Sequence, residues 1–315
     1  MGGSALDKVT VFGAGNVGAT TAFYLAMSAT LDIALVDIVA DKATGLAIDI
    51  EQAMAYTGSG SRLEGGGDYG LVEGSDIVII TAGFPRQPGM SRSDLTEKNA
   101  PIIEGIAKRI ATDAPGAVLI NVTNPVDEMT YLAWKASGLD PRKVMGMAGV
   151  LDTSRFMYFL NRLADLPTRE VTAMTLGSHG DDMAPLVDWS RYADKPLSEV
   201  MEPDKLNTIV ERTRDGGIEI VNYLKTGSAY YAPAVSIGTM ALAILGDTGR
   251  VLPASAYLKG EYGLEDLFLG TPAKLGRSGV LEVVELPLSD RELETLKKAA
   301  ESVKRSVDEA GKAAG

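Results

Sequence analysis

Two residue types that carry much of protein chemistry are almost missing. The 315 residues include no cysteine and one histidine, His179. The first absence excludes disulfide frameworks, cysteine-ligated zinc, iron–sulfur clusters and cysteine nucleophiles. The second excludes a multi-histidine metal site, so no metal is expected. Positive charge is in the minority, with 30 Lys and Arg against 42 Asp and Glu and a formal net charge of −12. Such a chain is poorly suited to nucleic-acid phosphates or to an anionic membrane surface. Long apolar runs are lacking too. The least polar stretch, Ala232 to Gly246, holds Pro233, Ser236, Gly238 and Thr239 and falls short of the ~20 apolar residues that cross a bilayer. Met1 to Thr10 carries no signal core and no twin arginine. The expectation is a soluble, cytoplasmic protein with neither nucleic acid nor membrane as a partner.

What is present builds a core. Hydrophobic residues make up 45% and charged residues 23%, the balance of a globular protein. The length suits one large domain or two of ~150 residues. The first half alternates short β-branched runs with longer amphipathic ones. Strands are predicted at Val9 to Phe12, Ile33 to Ile38, Asp76 to Thr81 and Ala117 to Val122, and helices over Thr20 to Ser28, Thr44 to Ala55 and Pro101 to Thr112. Pro101 reads as a first helical position. Near-continuous apolar strands alternating with helices predict βαβ units and a doubly wound parallel sheet.

The second half mixes helical runs (Thr153 to Leu163, Leu206 to Thr226, Ala234 to Leu245) with strand-like ones (Val171 to Leu176, Arg250 to Tyr257, Leu267 to Gly270, Val280 to Leu286). The last two flank a Gly/Pro-rich segment, Gly270 to Gly279, which predicts a turn between antiparallel strands. Ser289 to Glu292 reads as the capped start of a C-terminal helix. The expected organisation is α/β: a Rossmann-type doubly wound domain over residues 1–145, then an α+β domain over 146–315.

Five segments carry chemistry. Gly13-Ala14-Gly15-Asn16-Val17-Gly18 follows the first strand and opens the first helix, the context required of a G-x-G-x-x-G dinucleotide turn. Gly13 permits the tight turn, Gly15 lets backbone approach a pyrophosphate, and Gly18 lets helix pack against strand. Asp37 ends the second strand about 20 residues on, where a carboxylate accepts from ribose hydroxyls and repels a 2′-phosphate, favouring NAD over NADP. Gly177-Ser178-His179-Gly180-Asp181 sets the lone histidine, the residue type that titrates near neutrality, between glycines. Asp152 and Arg155 stand three apart in Leu151-Asp152-Thr153-Ser154-Arg155. They suit an imidazole-orienting acid and a carboxylate clamp, although spacing alone equally gives an N-cap acid with an i,i+3 ion pair. Arg86 and Arg92 bracket a Pro/Gly-rich loop in Thr81 to Arg92, at the sheet's carboxyl end where ligands bind. Asn121-Val122-Thr123-Asn124-Pro125 ends the next strand, as an amide-bearing site segment, a plain turn or a cis-proline bend.

In order and spacing these segments resemble the malate and lactate dehydrogenase superfamily, most of all its lactate-dehydrogenase-like malate dehydrogenases. The likeness runs from about Lys8 to the C-terminal helix. It implies an NAD-dependent oxidation of malate to oxaloacetate, with the small acid as substrate partner and a homotetramer or homodimer as the working form. It gives His179 the acid–base role and Asp152 the place of its partner. Arg155 would bind the C1 carboxylate, Arg92 polarise the reacting carbonyl, Arg86 take the distal carboxylate, and Asn124 reach substrate. NAD would lie against Gly13, Ala14, Gly15, Asn16, Val17, Gly18, Asp37, Thr81, Ala82, Gly83, Asn99, Val122, Thr123 and Asn124. A lactate-specific relative would need an uncharged residue where Arg86 stands.

Overall fold

The computed structural model describes residues 6–86, 89–180 and 182–313. Gln87, Pro88 and Asp181, quoted in the motifs above, lie outside them. Six parallel strands, Lys8–Phe12 (β1), Asp32–Val36 (β2), Arg62–Gly66 (β3), Ile77–Ile80 (β4), Val118–Asn121 (β5) and Val144–Gly146 (β6), stand in the order β3-β2-β1-β4-β5-β6. That order reverses at β1/β4, the switch point at which doubly wound sheets bind ligands outside their carboxyl ends. Because side chains alternate across a strand, Ile77 and Ile79 enter one core with helices Asn16–Ser28 (α1) and Ala40–Thr57 (α2). Val78 and Ile80 enter the other, with helices Arg92–Asp113 (α3) and Val126–Ser137 (α4).

The sheet continues into the second half. After Gly149–Ala164 (α5) come the short strands Val171–Thr172 (β7), Thr175–Gly177 (β8), Met183–Pro185 (β9), Arg191–Tyr192 (β10) and Lys195–Pro196 (β11). Helices Leu197–Val200 (α6), Pro203–Leu224 (α7) and Tyr231–Leu245 (α8) follow, then strands Arg250–Lys259 (β12), Glu265–Gly276 (β13) and Gly279–Val283 (β14) and helix Asp290–Ala313 (α9). β12 pairs with β6 at Ser255 and Gly146, and the order runs on through β13, β8 and β9, with β14 on the other part of β13. The expected boundary at residue 145 thus falls inside β6. α9 lays Leu296, Ala299, Ala300 and Val303 over Leu176, Leu267 and Leu269. No helix among the described residues is long and apolar enough to cross a membrane.

Three expectations need correction. Pro101 lies inside α3, which begins nine residues earlier at a capping box: the Ser91 hydroxyl accepts from the Asp94 N–H, and the Asp94 carboxylate from the Ser91 N–H. The Gly270 to Gly279 segment is mostly strand, and only Arg277 and Ser278 turn. Val171 to Leu176 is two strands in different sheets. β3 and α4 were not anticipated. β3 is an edge strand with Leu63 its one buried residue. α4 buries Asp127 and Glu128 beside Val126 and Met129, which blurs its apolar periodicity.

Candidate active site

The glycine turn has the geometry its sequence asks for. Gly13 sits at φ +102°, and a Cβ there would meet Thr81 and Ala82. A Cβ on Gly18 would lie 1.8 Å from the Gly13 carbonyl oxygen, so only glycine lets α1 pack this close to β1. A Cβ on Gly15 would meet nothing within 4 Å, and no side chain caps the start of α1. Open space thus faces a helix N-terminus whose N–H groups and dipole suit an anion. Asp37 is held beside it, its two carboxylate oxygens accepting from the Ala14 N–H at 2.6 Å and the Val39 N–H at 2.9 Å. Each oxygen keeps a lone pair for a further donor. This combination fits a dinucleotide.

The next strand ends are tied together. Thr81 donates to the carbonyls of Phe12 and Gly13, and Thr123 to that of Ala82. Gly83 lies against Thr123 and Asn99, where a Cβ would come within 3.0 Å of both side chains. The buried Asn99 accepts from the Phe84 N–H and donates to the Phe84 and Asn124 carbonyls. Its amide is fully engaged inside the chain. Val122 continues β5 through its N–H, and Asn124 is exposed and precedes a cis bond to Pro125.

The histidine comes from the second half of the chain, between β8 and β9. His179 Nδ1 lies 2.9 Å from the Asp152 carboxylate, their side chains 21% and 2% exposed. An Nδ1–H that donates to Asp152 leaves Nε2 as the atom open to proton exchange. Burial pushes the imidazole's pKa down, but the charge and hydrogen bond of Asp152 outweigh it and leave it raised, with Asp127 assisting and Arg155 opposing. Position comes from glycines again. A Cβ on Gly270 would lie 2.3 Å from the Gly177 carbonyl oxygen, and Gly177 itself has φ +82°, so β13 and β8 meet closely one turn before the imidazole.

Asp152 is the fourth residue of α5 rather than an N-cap, and Arg155 Nη1 lies 3.5 Å from it one turn on. Burial lowers the Arg155 pKa against the pull of Asp152, and its buried Nε has no hydrogen-bond partner among the described residues. Gly216 and Gly217 of α7 give it room, since a Cβ on either would come within 3.4 Å of the arginine. This double glycine was passed over in the sequence, inside the helical run Leu206 to Thr226.

The two loop arginines part company. Arg86 is exposed, its Nε donating to the Met90 carbonyl. Arg92, the first residue of α3, reaches inward and donates to Glu128 and to the Ser178 hydroxyl. Asp127 lies beside them, accepting from Ser255, with its second oxygen unpartnered among the described residues. Burial, then the Glu128 charge, raise its pKa to about 6. Neither Asp127 nor Glu128 was singled out in the sequence. The available signal was a pair of acids one residue beyond Asn-Pro, inside an otherwise apolar face.

Comparison with known proteins agrees with this geometry. Residues 7–146 match the family described as lactate/malate dehydrogenase, NAD binding domain, and residues 149–313 its alpha/beta C-terminal domain. A malate dehydrogenase of Methanosarcina mazei is 47% identical over 300 residues, 95% of this chain and 98% of that one. The crystal structure of Cryptosporidium parvum malate dehydrogenase superposes with a TM-score of 0.94 at 39% identity, covering 98% of this chain and 99% of that one. The lactate dehydrogenase of the same organism, complexed with lactic acid and nicotinamide adenine dinucleotide, gives 0.94 at 35% identity over the same shares. With both halves matched in order over nearly their whole length, this chain belongs to the lactate/malate dehydrogenase family.

Proposed function

We propose that the chain is an NAD-dependent malate dehydrogenase interconverting (S)-malate and oxaloacetate. The observation that carries this reading is the His179–Asp152 pair beside the half-satisfied Arg155, with Arg86 exposed on the loop that leads into Arg92. Many relatives of 45–47% identity bear the name malate dehydrogenase, and a distal carboxylate needs a cation where Arg86 stands.

The backbone of Gly13, Ala14, Gly15, Asn16, Val17 and Gly18 holds the pyrophosphate, and Asp37 the adenosine ribose. Thr81, Ala82, Gly83 and the Val122 to Asn124 segment line the nicotinamide half. Asn99 serves that half through the backbone it ties together. NAD held there would supply the hydride acceptor for malate C2 and, in its reduced form, the hydride donor for oxaloacetate. His179 Nε2 accepts the hydroxyl proton in one direction and donates it in the other, and Asp152 stabilises the imidazolium. Arg155 clamps the C1 carboxylate through parallel hydrogen bonds, aided by Asn124, so the reacting atoms stay aligned. Arg92 stabilises charge that grows on the carbonyl oxygen.

The tricarboxylic acid cycle and the cytoplasm go with this reading as its setting, and a homotetramer or homodimer as its form. Exposed Phe23 and Met27 of α1, Ile48 and Tyr56 of α2 and Val235 of α8 support self-association. The division at residues 145 and 146 into nucleotide and catalytic parts belongs to the same proposal. Initial rates with oxaloacetate and with pyruvate, each with NADH and NADPH, test it. Oxaloacetate with NADH should be fastest by far; a preference for pyruvate or for NADPH overturns it.

A further inference from the structure

Glu128 has no ordinary reason to be where it is. Its side chain is fully buried in the first turn of α4, and an isolated buried carboxylate is costly enough to be avoided unless paired and hydrogen-bonded. Both of its oxygens are taken by one partner. Arg92 Nε donates to one at 2.7 Å and Nη2 to the other at 3.0 Å, a fork-on-fork pair. The remaining Nη2 proton has the Ser178 hydroxyl at 3.0 Å, next in sequence to His179. Three of the five guanidinium protons are therefore committed, and the two on Nη1 have no protein partner among the described residues. The Arg92 side chain is one-third exposed, so it is anchored from below and open above.

We propose that Glu128 is a positioning residue for Arg92: its buried carboxylate fixes the Nε–Nη2 edge of the guanidinium and leaves the Nη1 edge for the substrate's carbonyl oxygen. The inference rests on the reading above in which Arg92 acts on that oxygen. A fork pinned on two sides has one orientation, whereas a free arginine has four torsions to settle. The pinning also separates Arg92 from the loop that carries Arg86. Arg92 is docked against α4, whereas Arg86 stands in solvent. Charge supports the arrangement: burial disfavours the arginine's cation, yet Glu128, Asp127 and Asp182 leave its pKa raised.

The test is a double-mutant cycle in the full chain. Glu128→Gln removes the charge at nearly constant shape, Glu128→Asp keeps the charge and shortens the reach, and Arg92→Gln removes the cation. Glu128→Gln should lower kcat for oxaloacetate reduction by about 100-fold, the scale of a ~1 Å misplacement of a catalytic group. KM for NADH should stay unchanged, and Glu128→Asp should recover part of the loss. In the Arg92→Gln background Glu128→Gln should cost nothing further. If Glu128→Gln does not fold, Glu128→Asp carries the kcat comparison and the double variant, which removes both charges, completes the cycle. Unchanged kcat in the folded Glu128 variants, or losses that simply add to those of Arg92→Gln, overturn the positioning role. If instead Arg92→Gln by itself leaves kcat intact, the assignment of Arg92 to the carbonyl fails, and the role of Glu128 with it.

Discussion

At the scale of single residues, the site works by surrounding one imidazole with charges of opposing effect. His179→Asn should keep the fold and NADH binding, and lower kcat by at least ~100-fold, the lower range for a positioned acid–base group; stopped-flow or steady-state rates beside an NADH titration check it. The pH profile follows from the sign of the shift. The His179 pKa is raised above 6.5, chiefly because Asp152 outweighs burial. Malate oxidation needs the neutral ring, so its kcat/KM should rise as pH climbs through that raised value, while oxaloacetate reduction falls through it. Asp152→Asn removes the charge that does the raising, and both inflections should move to lower pH. An inflection that stays in place would show that another group titrates. His179 was legible in the sequence because it is the one histidine, and Asp152 because a family likeness pointed to it. Glu128 was not legible: an acid after Asn-Pro looks like a solvated helix start until its burial is seen.

At the scale of elements, the proposed function gives the choice of substrate to the loop between β4 and α3. Oxaloacetate and pyruvate share the reacting keto acid and differ at the far end, carboxylate against methyl. Closure of that loop over substrate would desolvate Arg86, and an unpaired buried charge costs about 3–5 kcal/mol. Arg86→Gln should therefore lower kcat/KM for oxaloacetate by at least ~100-fold and raise that for pyruvate, with NADH affinity little changed. A variant that still prefers oxaloacetate strongly would place the selection elsewhere. The elements themselves were partly readable. β1, β2, β4 and β5 announce themselves as β-branched runs, because a strand buried on both faces has no room for polar residues. The start of α3 was misplaced since Pro101 drew more weight than Ser91 and Asp94, although the serine and acid three apart satisfy the first-turn N–H groups and the proline merely forgoes one hydrogen bond. Long strands through Gly270 and Gly276 were hidden by their glycines, which are there because neighbouring backbone and side chains leave no space for a Cβ.

For the whole molecule, the buried Asp127 links stability to pH. Its carboxyl has a pKa of about 6 in the fold against the ordinary 3.8. Between those values the folded chain holds more protons than the unfolded one, so this group's contribution falls as pH rises through the window and stays lowered above it. Asp127→Asn has no such dependence. Relative to the parent chain, its denaturant midpoint should improve on going from about pH 4 to about pH 7; a constant difference would show that Asp127 does not titrate in that range. The carboxyl also joins the two halves, since Asp127 belongs to α4 and its partner Ser255 to β12. Sequence suggested two units without a linker, and periodicity said nothing of how they meet.

They meet edge to edge, through Gly146 of β6 and Ser255 of β12. Severing the peptide between residues 146 and 149 would leave each fragment with a raw strand edge, one parallel sheet ending at β6 and one antiparallel sheet beginning at β12. Unpaired edges recruit strands, and the edge each fragment fits is the one on the other. Produced alone, the halves should aggregate; produced together, they should reassemble into one sheet that co-purifies as a nicked but complete molecule.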